Sequence, residues 1–143
     1  MKIMKPTLKQ IFPFEVEEIL NVLEANGHEA FVVGGAVRDI MLGKEPKDYD
    51  ITTSAEPQTV VDLFSQDPDI EVSDVDAKSF HVVIVNGIEV ATFRKDLYEK
   101  GEMVGTEMVG SLVEDLCRRD LTINAMAMDV RGKLIDPVIG EGD

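Results

Sequence analysis

The sequence has little with which to cross-link itself, span a membrane or grip a polyanion. Its single cysteine, Cys117, excludes an internal disulfide and fits a reducing compartment. No run approaches the roughly 18 consecutive apolar residues of a membrane span, and the N-terminus carries no signal-peptide pattern. A cytoplasmic location is the expectation. Basic residues are scarce: 14 Lys and Arg stand against 28 Asp and Glu, a formal net charge of −14. A domain that holds RNA by its phosphates normally shows a basic footprint, so the bulk charge speaks against strong RNA binding by this chain alone. It leaves room for a site where a few placed Arg and Lys residues work beside cations that offset the carboxylates. What is present suits one folded domain: 143 residues, 44% of them hydrophobic, are enough to bury a core.

Periodicity predicts an α/β architecture with a small mixed sheet and no internal domain boundary. Residues 1–13 read as a leader carrying Lys2, Lys5 and Lys9. Phe14, Val16, Ile19, Leu20, Val22 and Leu23 recur at helical spacing, and Asn26-Gly27 stops that helix. Residues 30–33 read as a buried strand, followed by Gly34-Gly35 and a short helix over 36–42. A second strand is expected over 49–52. Pro57 opens a third helix with Val60, Val61 and Phe64 as its apolar stripe. Residues 70–75, 80–85 and 88–93 predict three strands, the last two joined by Asn86-Gly87, a strong hairpin signal. Residues 94–110 read as a polar loop. Ser111 and Glu114 have the spacing of a capping box, a further helical stretch is expected over 122–126, and a last hairpin turns at Arg131-Gly132.

Four constellations carry chemistry. Gly34-Gly35 after a buried strand lets the backbone approach a ligand, with Arg38 one turn into the next helix as a charged fork for phosphate. The bland alternative is a tight turn. Asp48 and Asp50 lie two apart on an extended segment, so both carboxylates share a face while Tyr49 turns away. Two such carboxylates repel unless a cation sits between them, and oxygen-only ligands select a hard ion such as Mg²⁺. The alternative is an acidic surface turn. Glu89 completes a three-carboxylate platform if its strand lies beside that of Asp50, with Arg94 then near enough for a phosphate; otherwise Glu89 simply faces solvent. Finally, Arg118, Arg119, Asp120 and Asn124 read either as a clamp for a triphosphate and ribose or as a charged helix end with an Asp cap.

The order and wording of these segments resemble the N-terminal head domain of bacterial-type (class II) tRNA CCA-adding enzymes and their poly(A) polymerase relatives. Gly34-Gly35-Ala36-Val37-Arg38-Asp39, Lys47-Asp48-Tyr49-Asp50-Ile51, Glu89-Val90-Ala91-Thr92-Phe93-Arg94, Arg118-Arg119-Asp120-Leu121-Thr122-Ile123-Asn124-Ala125 and Ile135-Asp136-Pro137 carry the likeness. It runs from about residue 31 to about residue 140. The resemblance implies a polymerase-β-like nucleotidyltransferase fold with two-metal catalysis, transferring a nucleotide from ATP or CTP to an RNA 3′ hydroxyl, expected to be that of a tRNA, with release of pyrophosphate. It implies that Asp48 and Asp50 hold Mg²⁺ and that Glu89 is the third carboxylate. Gly34, Gly35, Arg38, Arg94, Arg119, Asp120 and Asn124 would serve the nucleotide.

Two departures accompany the likeness. The family's neck, body and tail domains, which select the base and bind tRNA, have no counterpart in residues 1–143, so residues 1–143 are expected to be a head domain that holds RNA weakly by itself. A separate RNA-binding chain or C-terminal domains would supply the rest. The segment 95–110 also differs in wording from the corresponding family loop. Two other readings stand beside the first: a minimal nucleotidyltransferase with another acceptor, and a nucleotide- or metal-binding module without turnover.

Overall fold

The buried stripe Val16, Ile19, Leu20 and Leu23 forms one face of α1 (Phe14–Ala25), which ends at Asn26. In the computed structural model, residues 11–117 and 126–135 are described. The chain continues through β1 (Ala30–Val33), α2 (Gly35–Met41), β2 (Asp50–Thr53) and α3 (Pro57–Phe64). Next come β3 (Val72–Ser73), α4 (Ala77–Phe80), β4 (Val82–Val85) and β5 (Ile88–Thr92). The chain then forms β6 (Arg94–Glu99), β7 (Glu102–Met108), α5 (Leu112–Cys117), β8 (Ala127–Met128) and β9 (Leu134–Ile135). No described helix is long and apolar enough to cross a membrane.

Seven strands make one mixed sheet in the order β3-β4-β5-β2-β1-β8-β9. Among the described residues only β2 and β5 pair in parallel; every other described neighbour in this sheet is antiparallel. The period-2 pattern divides the residues between two faces. Val32, Ile51, Val83, Val85 and Val90 pack with Leu20, Leu23, Val37, Val60 and Phe64 in the main core. On the opposite face Val33, Phe93 and Ala127 pack with Leu112 and Leu116 of α5. The sheet is thus sandwiched, and α5 covers only part of its second face.

Five expectations change. Residues 94–108 are not a polar loop but a separate two-stranded hairpin, β6 on β7, turning at Lys100-Gly101, where φ is +53° and +85°. Two consecutive positive φ values are what a tight hairpin turn needs. Its strands alternate poorly, because Leu97, Tyr98, Met103, Val104 and Met108 are all exposed and a register shift interrupts the ladder after Leu97. The strand expected over 70–75 shrinks to Val72–Ser73, and Phe80 closes the one-turn helix α4 rather than opening β4. The second strand starts at Asp50, so Asp48 and Tyr49 lie on its lead-in. The supposed leader reaches the core: Phe12 is 2% exposed and meets the Tyr49 ring edge-on at 6.3 Å. The helix expected over 122–126 falls almost wholly outside the described residues.

Because Phe12 seals the main core, Phe12→Ala is expected to lower unfolding free energy by about 3–5 kcal/mol in urea titration. A loss under about 1 kcal/mol would return Phe12 to a mere leader.

Candidate active site

The parallel register of β2 and β5 sets Asp50 opposite Glu89, Ile51 opposite Val90 and Thr52 opposite Ala91. Ile51 and Val90 point into the main core, so Asp50 and Glu89 share the other face, the one α5 partly covers. The antiparallel register of β1 brings Val33 beside Asp50, so the chain turns into Gly34-Gly35 at the same end of the sheet. Asp48, Asp50 and Glu89 are all exposed, whereas Tyr49 is half-buried. Burial, aided by the Glu45 carboxylate, raises the Tyr49 phenol above its ordinary pKa. Its aromatic neighbour Phe12 accounts for the outward aim of the two flanking carboxylates.

Two open clefts meet at Asp48 and Asp50. One, of about 510 Å³, runs past Lys47 and Tyr49 to Glu89 and the Gly87 turn. The other, of about 550 Å³, runs past Lys47 and Lys44 to Gly35, Ala36 and Arg38. Lys44 and Lys47 are cations to which the motif reading gave no role, although Lys47 stands in the quoted Lys47-Asp48-Tyr49-Asp50-Ile51 wording; Lys44 had no signal but its closeness to that segment. Gly34 takes φ +80° and ψ −147°, a conformation side chains avoid, and a Cβ there would stand 3.9 Å from Asp50 Oδ2. The backbone therefore passes close to the carboxylate. Arg38 folds back so that its Nη2 would lie 3.4 Å from a Cβ on Gly35, and its Nε meets Asp39 Oδ1 at 3.4 Å. With 45% of the Arg38 side chain exposed, that pair is a weak surface contact and leaves the guanidinium accessible to an anion.

Arg94 sits elsewhere. It does not line either of the two clefts that meet at Asp48 and Asp50; it lines a third, of about 350 Å³, with Glu89, Phe80, Met103 and Thr106. Its Nη1 donates to the Phe80 carbonyl, and its backbone N–H donates to Asp115 Oδ2 at 2.9 Å. Glu89 is the residue common to this cleft and the 510 Å³ one. Beside it, His81 Nδ1 and Thr106 Oγ1 lie 2.6 Å apart, fastening β7 to the end of α4. Burial, and then the Arg94 charge, lower the His81 imidazole pKa.

The donors facing the shared end of the clefts are carboxylate oxygens, a set that suits a hard divalent cation. Among the described residues no three Asp, Glu, His or Cys side chains converge closely enough to enclose a metal by themselves. Arg118, Arg119, Asp120 and Asn124 lie outside the described residues. Their flanks do not: Leu116 packs with Val33 and Ala127, and Ala127 pairs with Val33, the β1 neighbour of Asp50.

Comparison with known proteins bears on this geometry. The Poly A polymerase head domain family matches residues 30–143. The CCA-adding enzyme of Geobacillus sp. (strain WCH70) is 48% identical over 130 residues, covering 86% of this chain and 30% of that protein. The crystal structure of Bacillus stearothermophilus CCA-adding enzyme in complex with CTP superimposes with a TM-score of 0.70 at 40% identity, over 94% of this chain and 30% of that one. The crystal structure of a tRNA nucleotidyltransferase complexed with a primer tRNA and an incoming ATP analog gives a TM-score of 0.63 at 32% identity, over 82% of this chain and 34% of that one. The chain thus spans about 30% of the length of the curated relative it matches.

Two outcomes follow from the local geometry. Gly34→Ala should cost about 1–3 kcal/mol of stability by chemical denaturation, since alanine must hold a conformation reserved for glycine. A neutral substitution would show that the turn relaxes. Because the folded state disfavours protonated His81, its contribution fades as pH falls through the ordinary imidazole range. The stability advantage of the parent over His81→Gln should shrink between about pH 7 and pH 5. A constant gap would contradict this.

Proposed function

Since the chain belongs to the Poly A polymerase head domain family, we propose that residues 1–143 form the catalytic head of a tRNA nucleotidyltransferase. It transfers a nucleotide from CTP or ATP to an RNA 3′ hydroxyl. The observation that carries this reading is the register of Asp50 against Glu89, with Asp48 and the Gly34-Gly35 turn at the same end of the sheet.

In this reading Asp48 and Asp50 hold Mg²⁺, and Glu89 stands beside them as the third carboxylate. When bound, the ions lower the pKa of the attacking hydroxyl and offset charge on the departing pyrophosphate. The chain's own part is placement. Gly34 and Gly35 admit the triphosphate to the backbone, and Arg38, with Lys44 and Lys47 along the same cleft, meets its charge. The family resemblance assigns Arg119, Asp120 and Asn124 to the triphosphate or ribose. The acceptor 3′ oxygen forms a bond to the α-phosphorus in line with the α–β bridging oxygen, that P–O bond breaks, and pyrophosphate leaves. Arg94 serves the nucleotide indirectly, because its guanidinium is engaged with the Phe80 carbonyl and lines the cleft beyond Glu89.

The net charge of −14 bears on the partner. A surface this acidic repels RNA at a distance, so the acceptor is held weakly by this chain and the main grip comes from further domains or a separate RNA-binding chain. A cytoplasmic location, where tRNA and nucleoside triphosphates meet, belongs to the same proposal.

The test is incorporation of labelled CMP or AMP into a tRNA lacking its CCA end, with Mg²⁺ present. Asp48→Ala and Asp50→Ala should each lower the rate by about 100-fold or more. Full turnover in either variant would sink the metal assignment. Metal-dependent CTP binding without incorporation into any RNA would leave a binding module instead.

A further inference from the structure

Asp115 is fully buried (0% exposed) near the middle of α5, away from the clefts. A carboxylate is driven so far from water only when its oxygens are well satisfied. Its Oδ2 accepts from the Thr52 hydroxyl at 3.3 Å and from the Arg94 backbone N–H at 2.9 Å. Thr52 is two residues beyond Asp50 on the same face of β2. Arg94 is the first residue of β6, where the chain leaves the main sheet.

That junction is a branch point. Phe93 N–H extends the β2–β5 ladder to the Thr53 carbonyl at 2.8 Å, while the Phe93 carbonyl accepts from Val109 N–H at 2.8 Å on the far side of the hairpin. One residue later the chain has turned away, and its next N–H goes to Asp115. Asp115 therefore joins three bodies by hydrogen bonds to one carboxylate: the strand β2, the base of the β6–β7 hairpin, and its own helix α5. Phe93, Leu112 and Leu116 seal the joint with apolar contact.

We infer that Asp115 is a positioning residue, setting α5 and the hairpin base against β2 so that Asp50 and Glu89 keep the mutual placement a cation needs. The inference rests on the nucleotidyltransferase reading above and gives a role to a carboxylate that touches no substrate. The Thr52 and Arg94 bonds both reach Oδ2, which has two lone pairs, so an amide oxygen in that place can accept these two. Alanine cannot, and it leaves the buried Thr52 hydroxyl and the part-buried Arg94 N–H without this acceptor.

The experiment measures CTP affinity by calorimetry with and without Mg²⁺, on the parent, Asp115→Asn, Asp115→Ala, Thr52→Val and the Asp115→Ala/Thr52→Val double variant. The readout is the ratio of the two affinities, which loss of general stability in a folded protein does not move. Asp115→Ala should cut the ratio by about fivefold or more, and Asp115→Asn should restore most of it; Thr52→Val should act in the same direction, and the double variant should add little to Asp115→Ala. If Asp115→Ala fails to fold, Thr52→Val carries the test, because it removes one arm and keeps the carboxylate. A parent-like ratio in a folded Asp115→Ala, in Thr52→Val, or an additive double variant overturns the inference. A parent that binds no CTP under either condition overturns the functional reading itself.

Discussion

One parallel pairing in an otherwise antiparallel sheet governs the arrangement. Because β5 runs alongside β2 in the same direction, the two strands begin at the same end. Because β1 is antiparallel to β2, it finishes there too. Three chain segments are thereby gathered at one edge: the Gly34-Gly35 exit from β1, the Asp48–Asp50 entry to β2, and Glu89 just after the Asn86-Gly87 turn. A parallel pair cannot be joined by a tight turn, so the chain must travel out through α3, β3, α4 and β4 before returning. An antiparallel β5 with the same residues would carry Glu89 to the opposite end of β2.

The far end of that pair is held as deliberately as the near end is left open. Thr92 Oγ1 donates to the Ala55 carbonyl at 2.7 Å, Thr53 Oγ1 donates to the Glu29 carbonyl at 2.6 Å, and Phe93 N–H extends the ladder. Each such bond contributes only about 1 kcal/mol net, but each would cost more if its buried partner were left unsatisfied. The contrast gives the sheet a polarity. One end is closed by hydroxyls, Phe93 and α5; the other exposes carboxylates to open clefts flanked by Lys44, Lys47 and Arg38. Under the proposed function, stability and chemistry fall at opposite ends of the same two strands.

Much of this was readable from residues that act locally. The stripe Val16, Ile19, Leu20 and Leu23, the run of residues 30–33 and the Asn86-Gly87 turn each encode their structure within a few positions. The family wording picked out segments around Gly34, Asp48 and Glu89, and the strand registers bring those segments to one end of the sheet. What was not readable depends on distant partners. Nothing local to Phe12 announces that Tyr49 will meet it, and nothing in residues 94–108 separates a polar loop from a hairpin with both faces largely solvated. The short α4 escaped for the same reason: four residues hold no period, and their ending depends on the left-handed His81 and its contact with Thr106. Nothing local to Asp115 announces its burial either, since its partner Thr52 lies 63 positions earlier.

Under the proposed function, the end of the sheet carrying Asp48, Asp50 and Glu89 is where a divalent cation and a triphosphate meet. The most direct test is paramagnetic broadening in the amide NMR spectrum on adding sub-stoichiometric Mn²⁺ with ATP. The amides of Gly34, Gly35, Asp48, Asp50 and Glu89 should broaden first, while those of Asn26, Thr92 and the Arg131-Gly132 turn stay sharp. Broadening centred anywhere else, or none at that edge, would contradict it.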